Sequence, residues 1–109
     1  MKNRLLILLV ALLVIIQFFQ PERSVPAYDP SQDFITLMQP PAEVQEMLRV
    51  ACYDCHSYQT EWPWYTYVQP VGWWIGHHVE EGREHLNFSE WGNYALDDKV
   101  HALKEMTKA

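Results

Sequence analysis

A chain of 109 residues has room for one small domain, and part of it is committed to an apolar N-terminal run from Leu5 to Ile16. Fourteen Asp and Glu against eight Lys and Arg give a net charge of −6, and from Gln20 onward only six of those bases face the same fourteen acids. That surface excludes nucleic acid, and excludes anionic lipid head groups held through charge; it serves solubility or steers basic partners.

Lys2 and Arg4 precede the apolar run, which resumes after Gln17 with Phe18 and Phe19. A charged start followed by a hydrophobic segment is the pattern of a signal sequence, but no small-residue cleavage site follows it. The expectation is therefore an uncleaved signal anchor, a transmembrane helix over residues 1–20 that reaches roughly 30 Å. The two bases would remain in the cytoplasm, placing the rest of the chain outside. Residues 21–40 carry Pro21, Pro26, Pro30 and Pro40 and read as a proline-containing linker, able to extend about 60 Å. Phe34, Ile35, Leu37 and Met38 are its apolar exception and can dock on the following domain, expected over 41–109.

Pro41, Ala42 and Glu43 mark a helix start, with proline in the first turn and an acid near the positive end of the dipole. Val44, Met47, Leu48, Ala51 and Cys55 follow at helical spacing and lead into Cys52-Tyr53-Asp54-Cys55-His56. This C-x-x-C-H run reads as a covalent attachment site for a c-type haem. Two cysteines three apart share one face of a helical turn, so both sulfurs can reach one porphyrin edge. His56, next to Cys55, can supply the proximal bond to iron. A thioredoxin-like site, a zinc site completed by His77, His78, His85 or His101, and a short disulfide remain as alternatives.

Tyr58, Trp62, Trp64, Tyr65 and Tyr67 follow, with Pro63 among them. They are either flat walls for the porphyrin or ordinary core aromatics. Pro70 opens a second helical pattern to about Leu86, with Val71, Trp74, Ile75, His78, Gly82 and His85 along one side; Gly76 and Gly82 would permit close approach to the ring. Asn87 ends that helix and Ser89 caps a short turn. Asp97 and Asp98 cap a last helix that directs Val100, Leu103 and Met106 inward.

Four stretches carry a resemblance: Pro40-Pro41-Ala42-Glu43-Val44, Ala51 to Ser57 around the motif, Thr60-Glu61-Trp62-Pro63-Trp64-Tyr65, and Glu81 to Trp91. The chain resembles the small bacterial membrane-anchored haem-binding domain family, cytochrome c-like and carrying a single haem. The resemblance implies haem c, one per chain, held by Cys52, Cys55 and His56. Such haems are attached on the outer side of the bacterial cytoplasmic membrane, which implies a single-pass protein with its C-terminal domain in the periplasm or cell exterior. The family pattern continues into a Gly-x-Met-Pro segment whose methionine is a natural second ligand. This chain stops at Ala109 before such a segment, so the expectation is a shortened member in which Met106 does not inherit that role.

With that segment missing, the distal candidate is His78, on the same helical face as Trp74, Ile75 and Gly82. His77, His85, His101 and Met106 rank behind it. The expected fold is all-α, an N-terminal helix preceding a compact cytochrome c-like helical domain. The expected function is one-electron transfer by a membrane-tethered carrier that is not an enzyme, with redox proteins as partners and no nucleic acid. The alternatives are a haem sensor or peroxidase-like protein with an open distal site, and a shortened member that binds haem poorly.

Overall fold

The computed structural model describes residues 1–108 and is all-helical, with no strand among them. Its α-helices are α1 (Lys2–Ile16), α2 (Phe34–Met38), α3 (Ala42–Ala51), α4 (Tyr53–His56), α5 (Val71–His85) and α6 (Leu96–Lys108). The 3-10 turns are Pro30–Gln32, Trp64–Tyr67 and Phe88–Asn93. The chain divides into two compact units, Met1–Ser24 with Trp62–His78 and Val25–Glu61 with Val79–Ala109.

In the smaller unit α1 has 15 residues and none of them is buried. Its length is roughly 22 Å at 1.5 Å per residue, against about 30 Å of hydrocarbon. No helix among the described residues is long and apolar enough to cross a membrane, which corrects the expected transmembrane span over 1–20. The cause is local. Backbone bonding tightens to i→i−3 at Gln17, Phe18 and Phe19, and the polar side chains beyond turn to other partners. Gln17 Nε2 donates to the Gln69 carbonyl at 3.1 Å while the Gln69 N–H donates to Gln17 Oε1 at 2.8 Å. Arg23 Nη2 donates to the Thr66 carbonyl at 2.7 Å, its guanidinium lying 4.0 Å from the centre of the Tyr67 ring.

The larger unit is organised around aromatic rings. Phe34 meets Trp91 edge-on at 4.8 Å and Phe88 at 5.1 Å, and Tyr53 stacks on Phe88 at 5.2 Å with 8° between planes. Ile35 and Ala102 complete the buried cluster. The apolar exception in the proline-containing segment thus contributes Phe34 and Ile35 to the core, while Leu37 and Met38 stay exposed. Asp33 starts α2 by accepting from the Ile35 N–H at 3.0 Å, and Gln39 ends it in the left-handed region (φ 45°).

Two helical faces differ from expectation. On α5 the buried side runs through Gly72 and Val79, with Gly82 and Arg83 half-buried, while Val71, Trp74, His78 and His85 are exposed. On α6 the buried residue is Ala102, with Met106 half-buried; Val100 and Leu103 point outward. In both cases a small residue, Gly72 on α5 and Ala102 on α6, is buried where larger apolar neighbours stay outside, because close backbone approach needs small volume more than high hydrophobicity.

Buried Tyr53 donates its O–H to Asp33 Oδ1 at 2.9 Å. Burial, then the hydrogen bond and charge of Asp33, push the phenol well above its ordinary value. The folded state therefore keeps its proton to higher pH than the unfolded chain. The associated stability is complete below the ordinary tyrosine pKa of about 10 and is lost as pH rises through the higher folded value. Thermal melts across this range should show a falling midpoint above about pH 10, and Tyr53→Phe should flatten the fall. An unchanged slope in that variant would refute the assignment.

Candidate functional site

Cys52 lies between two helices, ending α3 and starting α4 with φ −123° and ψ −39°. The His56 N–H donates to the Cys52 carbonyl at 2.9 Å, so the five motif residues form a single turn. Both cysteines are free; Cys52 is half-buried and Cys55 exposed. Burial around its sulfur and then the Asp54 carboxylate push the Cys55 thiol up, with Arg83 opposing them.

The imidazole of His56 is fixed from one side. Its Nδ1 lies 2.9 Å from the Gly82 carbonyl oxygen and 3.1 Å from that of Leu86. Both oxygens can only accept, so Nδ1 carries the hydrogen and Nε2 keeps its lone pair. Backbone carbonyls at the end of α5 thus select the tautomer of His56 and orient its ring, as such partners do for imidazoles that bind metals. They approach this closely because residue 82 is glycine: a Cβ there would lie 2.3 Å from the Cys55 carbonyl oxygen. The glycine makes room for the backbone of the motif.

The turn is tied down on its other side. Arg83 Nε donates to the Ser57 carbonyl at 2.7 Å and its Nη2 to Thr60 Oγ1 at 2.9 Å. Buried Ser57 donates to the Tyr53 carbonyl at 2.7 Å, and the Tyr58 N–H donates to Ser89 Oγ at 3.0 Å. Asn87 caps the next turn through the Ser89 N–H at 3.0 Å. Asn87 is therefore the cap of that turn, and the Ser89 hydroxyl instead holds the segment after the motif.

Cys52 and His56 open onto one cavity of about 850 Å³. Leu48, Leu86, Phe88, Ala102 and Met106 give it apolar walls; Glu84, His85, Asp98, His101 and Glu105 supply polar groups, and Tyr94 adds a second ring. Cys55 lies one turn from Cys52 but is not among the lining residues. His78 belongs to the smaller unit, where its ring meets Trp74 edge-on at 4.8 Å. Trp62, Trp64, Tyr65 and Tyr67 belong to that unit as well, so the rings lining this cavity are those of Phe88 and Tyr94. Reading the sequence missed both rings and both carbonyl partners of His56. The Leu86-Asn87-Phe88-Ser89-Glu90-Trp91 stretch was the available signal for Phe88, whereas Tyr94 lies beyond it and a carbonyl leaves no mark on side-chain pattern.

Among the described residues no three His, Cys, Asp or Glu side chains gather as a metal-ion site requires, which leaves the zinc alternative without a ligand set. The model of a haem-binding domain matches residues 11–109. No curated protein and no solved structure matches the chain. The residues fit the group that the family takes. The cavity lies within the ~300–1,000 Å³ usual for cofactor sites; its walls are apolar, a cysteine borders it, and a histidine with a free Nε2 stands at its edge. With the family model covering nearly its whole length, the chain belongs to the haem-binding domain family.

Proposed function

We propose that this chain carries one covalent haem c on Cys52 and Cys55, with His56 as the proximal iron ligand, and works as a one-electron carrier rather than an enzyme. The observation that carries this reading is the double anchoring of His56 Nδ1 by the Gly82 and Leu86 carbonyls, which reserves Nε2 for a metal. Each thiol would add across a vinyl group, its sulfur bonding one vinyl carbon and its hydrogen passing to the other. When bound, the haem supplies the ferric–ferrous couple. The residues here orient the ligand, exclude water with Leu48, Leu86 and Phe88, and present an acidic exterior to basic redox proteins. We further propose that the chain is held at the outer, periplasmic face of a bacterial cytoplasmic membrane by insertion of α1, whose apolar side chains are exposed from Leu5 to Ile15.

A second reading gives the haem an open distal side for small ligands. It is favoured by His85 and His101, which line the cavity and offer distal bases or a sixth ligand; His78, proposed from the sequence for that role, packs on Trp74. Carbon monoxide separates the two readings, because a six-coordinate low-spin carrier ignores it and an open site binds it.

The test is a pyridine haemochrome spectrum with a denaturing-gel haem stain after co-expression with a cytochrome c maturation system. The wild-type chain should show a covalent band and the thioether-shifted α-peak, and Cys52→Ala/Cys55→Ala should lose both. His56→Ala should lose the native ligation spectrum. Covalent haem persisting in the double variant, or absent from the wild type, defeats the proposal.

A further inference from the structure

The smaller unit has a surface that the haem reading leaves unused. Of all Asp, Glu, Lys and Arg side chains only Lys2, Arg4, Glu22 and Arg23 fall in it, and the stretch Trp62–His78 has none. The same unit leaves large rings uncovered: Phe18 is 81% exposed, Trp64 77%, Trp74 66% and Phe19 65%, with Tyr67 and Val68 also outside.

These rings are held where they are. Gln20 Nε2 donates to the Tyr67 carbonyl at 3.2 Å, Gln69 Nε2 donates to Gln20 Oε1 at 3.1 Å, and the Trp73 indole N–H donates to the Phe19 carbonyl. Fully buried Thr66 and Gln69 form the polar centre of that knot. An aromatic surface with no Asp or Glu in 62–78, and with Arg23 stacked on Tyr67 as its nearest cation, therefore continues directly from the end of the apolar helix α1.

We infer that this face, built on Phe18, Phe19, Trp64, Tyr67 and Trp74, rests in the interfacial layer of a lipid bilayer. Tryptophan and tyrosine concentrate at that depth because one part of the ring system is apolar and another bonds to water or head groups. Charge selects the occupant. Thirteen of the fourteen acids lie in the other unit, so the aromatic face offers a bilayer no repulsion, whereas a basic protein partner would find no acids to grip. Continuity with α1 points the same way, since a short apolar helix entering lipid leaves the residues just past its end at the head-group level. The inference rests on the lipid insertion of α1 proposed above and adds a second, independent contact.

The experiment uses the full haem-loaded chain in phosphatidylcholine vesicles containing a photoactivatable diazirine phosphatidylcholine, followed by mass mapping of lipid adducts. Adducts are expected on α1 and on peptides from 62–78, with the second set lost in Trp64→Ser/Trp74→Ser and the first retained. Both tryptophans are exposed, so the variant keeps its fold, which far-UV circular dichroism checks for the smaller unit. Adducts confined to α1 would overturn the aromatic face and leave the helix insertion standing. Adducts nowhere would overturn both. A dimer that shields 62–78 from lipid would assign the face to a second copy of the chain and overturn the inference.

Discussion

Gly82→Ala is expected to destabilise the larger unit by about 1–3 kcal/mol and to abolish haem loading, although alanine is the better helix former. In an open helix interior the change would gain about 1 kcal/mol. Here the new Cβ would lie 2.3 Å from the Cys55 carbonyl oxygen and 3.1 Å from its carbon. Both are backbone atoms, so no rotamer change relieves the contact, and overpacking of this kind costs ~1–3 kcal/mol. Separating the helix from the motif also lengthens the bond from His56 Nδ1 to the Gly82 carbonyl, worth about 1 kcal/mol. Repulsion and the lost hydrogen bond outweigh the propensity gain.

Gly76 is the control, because it is another glycine of the same helix. A Cβ there would meet Pro21 Cβ at 3.1 Å, outside the range below 3.0 Å where something must shift, so it asks for a displacement of only a few tenths of an ångström. Gly76→Ala should therefore melt close to wild type and load haem normally. Thermal denaturation followed by circular dichroism, with haem stain on the same samples, separates the two variants. Equal melting of Gly82→Ala and wild type would show that the close approach is not needed.

The contrast between these glycines explains what the sequence revealed and what it hid. Helix positions were legible: Pro41-Ala42-Glu43 marks α3, Pro70 precedes α5, and Asp97 with Asp98 lies in the first turn of α6. Periodicity states which residues share a face, but it does not state which face another element covers. The α3 stripe illustrates this, since Val44, Met47 and Ala51 are exposed and Leu48 alone turns half inward. On α5 periodicity groups Trp74 and His78 with Gly82 on one side, yet the buried residues are Gly72 and Val79, and of that expected group Gly82 packs while Trp74 and His78 stay exposed.

The site divides in the same way. Cys52, Cys55 and His56 were legible because attachment chemistry fixes residue type and spacing together. The groups around them were not. His56 is oriented by carbonyls that any residue could supply, and its cavity is completed from a 3-10 turn and from α6, more than thirty residues along the chain. Phe34 and Ile35 were noted within a proline-containing segment, where composition favours a tether; a buried Asp33 cap turns that segment into core.

Phe88→Ala is expected to cost ~3–5 kcal/mol, the usual range for deleting a buried phenylalanine. Phe88 is 1% exposed, stacked on Tyr53 and edge-on to Phe34, so its loss breaks two aromatic contacts as well as leaving a void. A small domain has little more stability than that to lose. The ring is also a wall of the cavity, whereas Trp91, equally buried in the same cluster, is not one of its lining residues. The pair separates packing from pocket. Both alanine variants should melt far below wild type, but at a temperature where each remains folded Trp91→Ala should still load haem and Phe88→Ala should load less. Phe88→Leu, which keeps an apolar wall at smaller volume, should recover most of the loading and part of the stability. Melts by circular dichroism and haem per chain by pyridine haemochrome measure the two effects on the same protein. Loading that tracks melting temperature alone across all three variants would mean that the ring acts only as core, leaving the cavity's selectivity for a flat apolar group to Leu48, Leu86 and Tyr94.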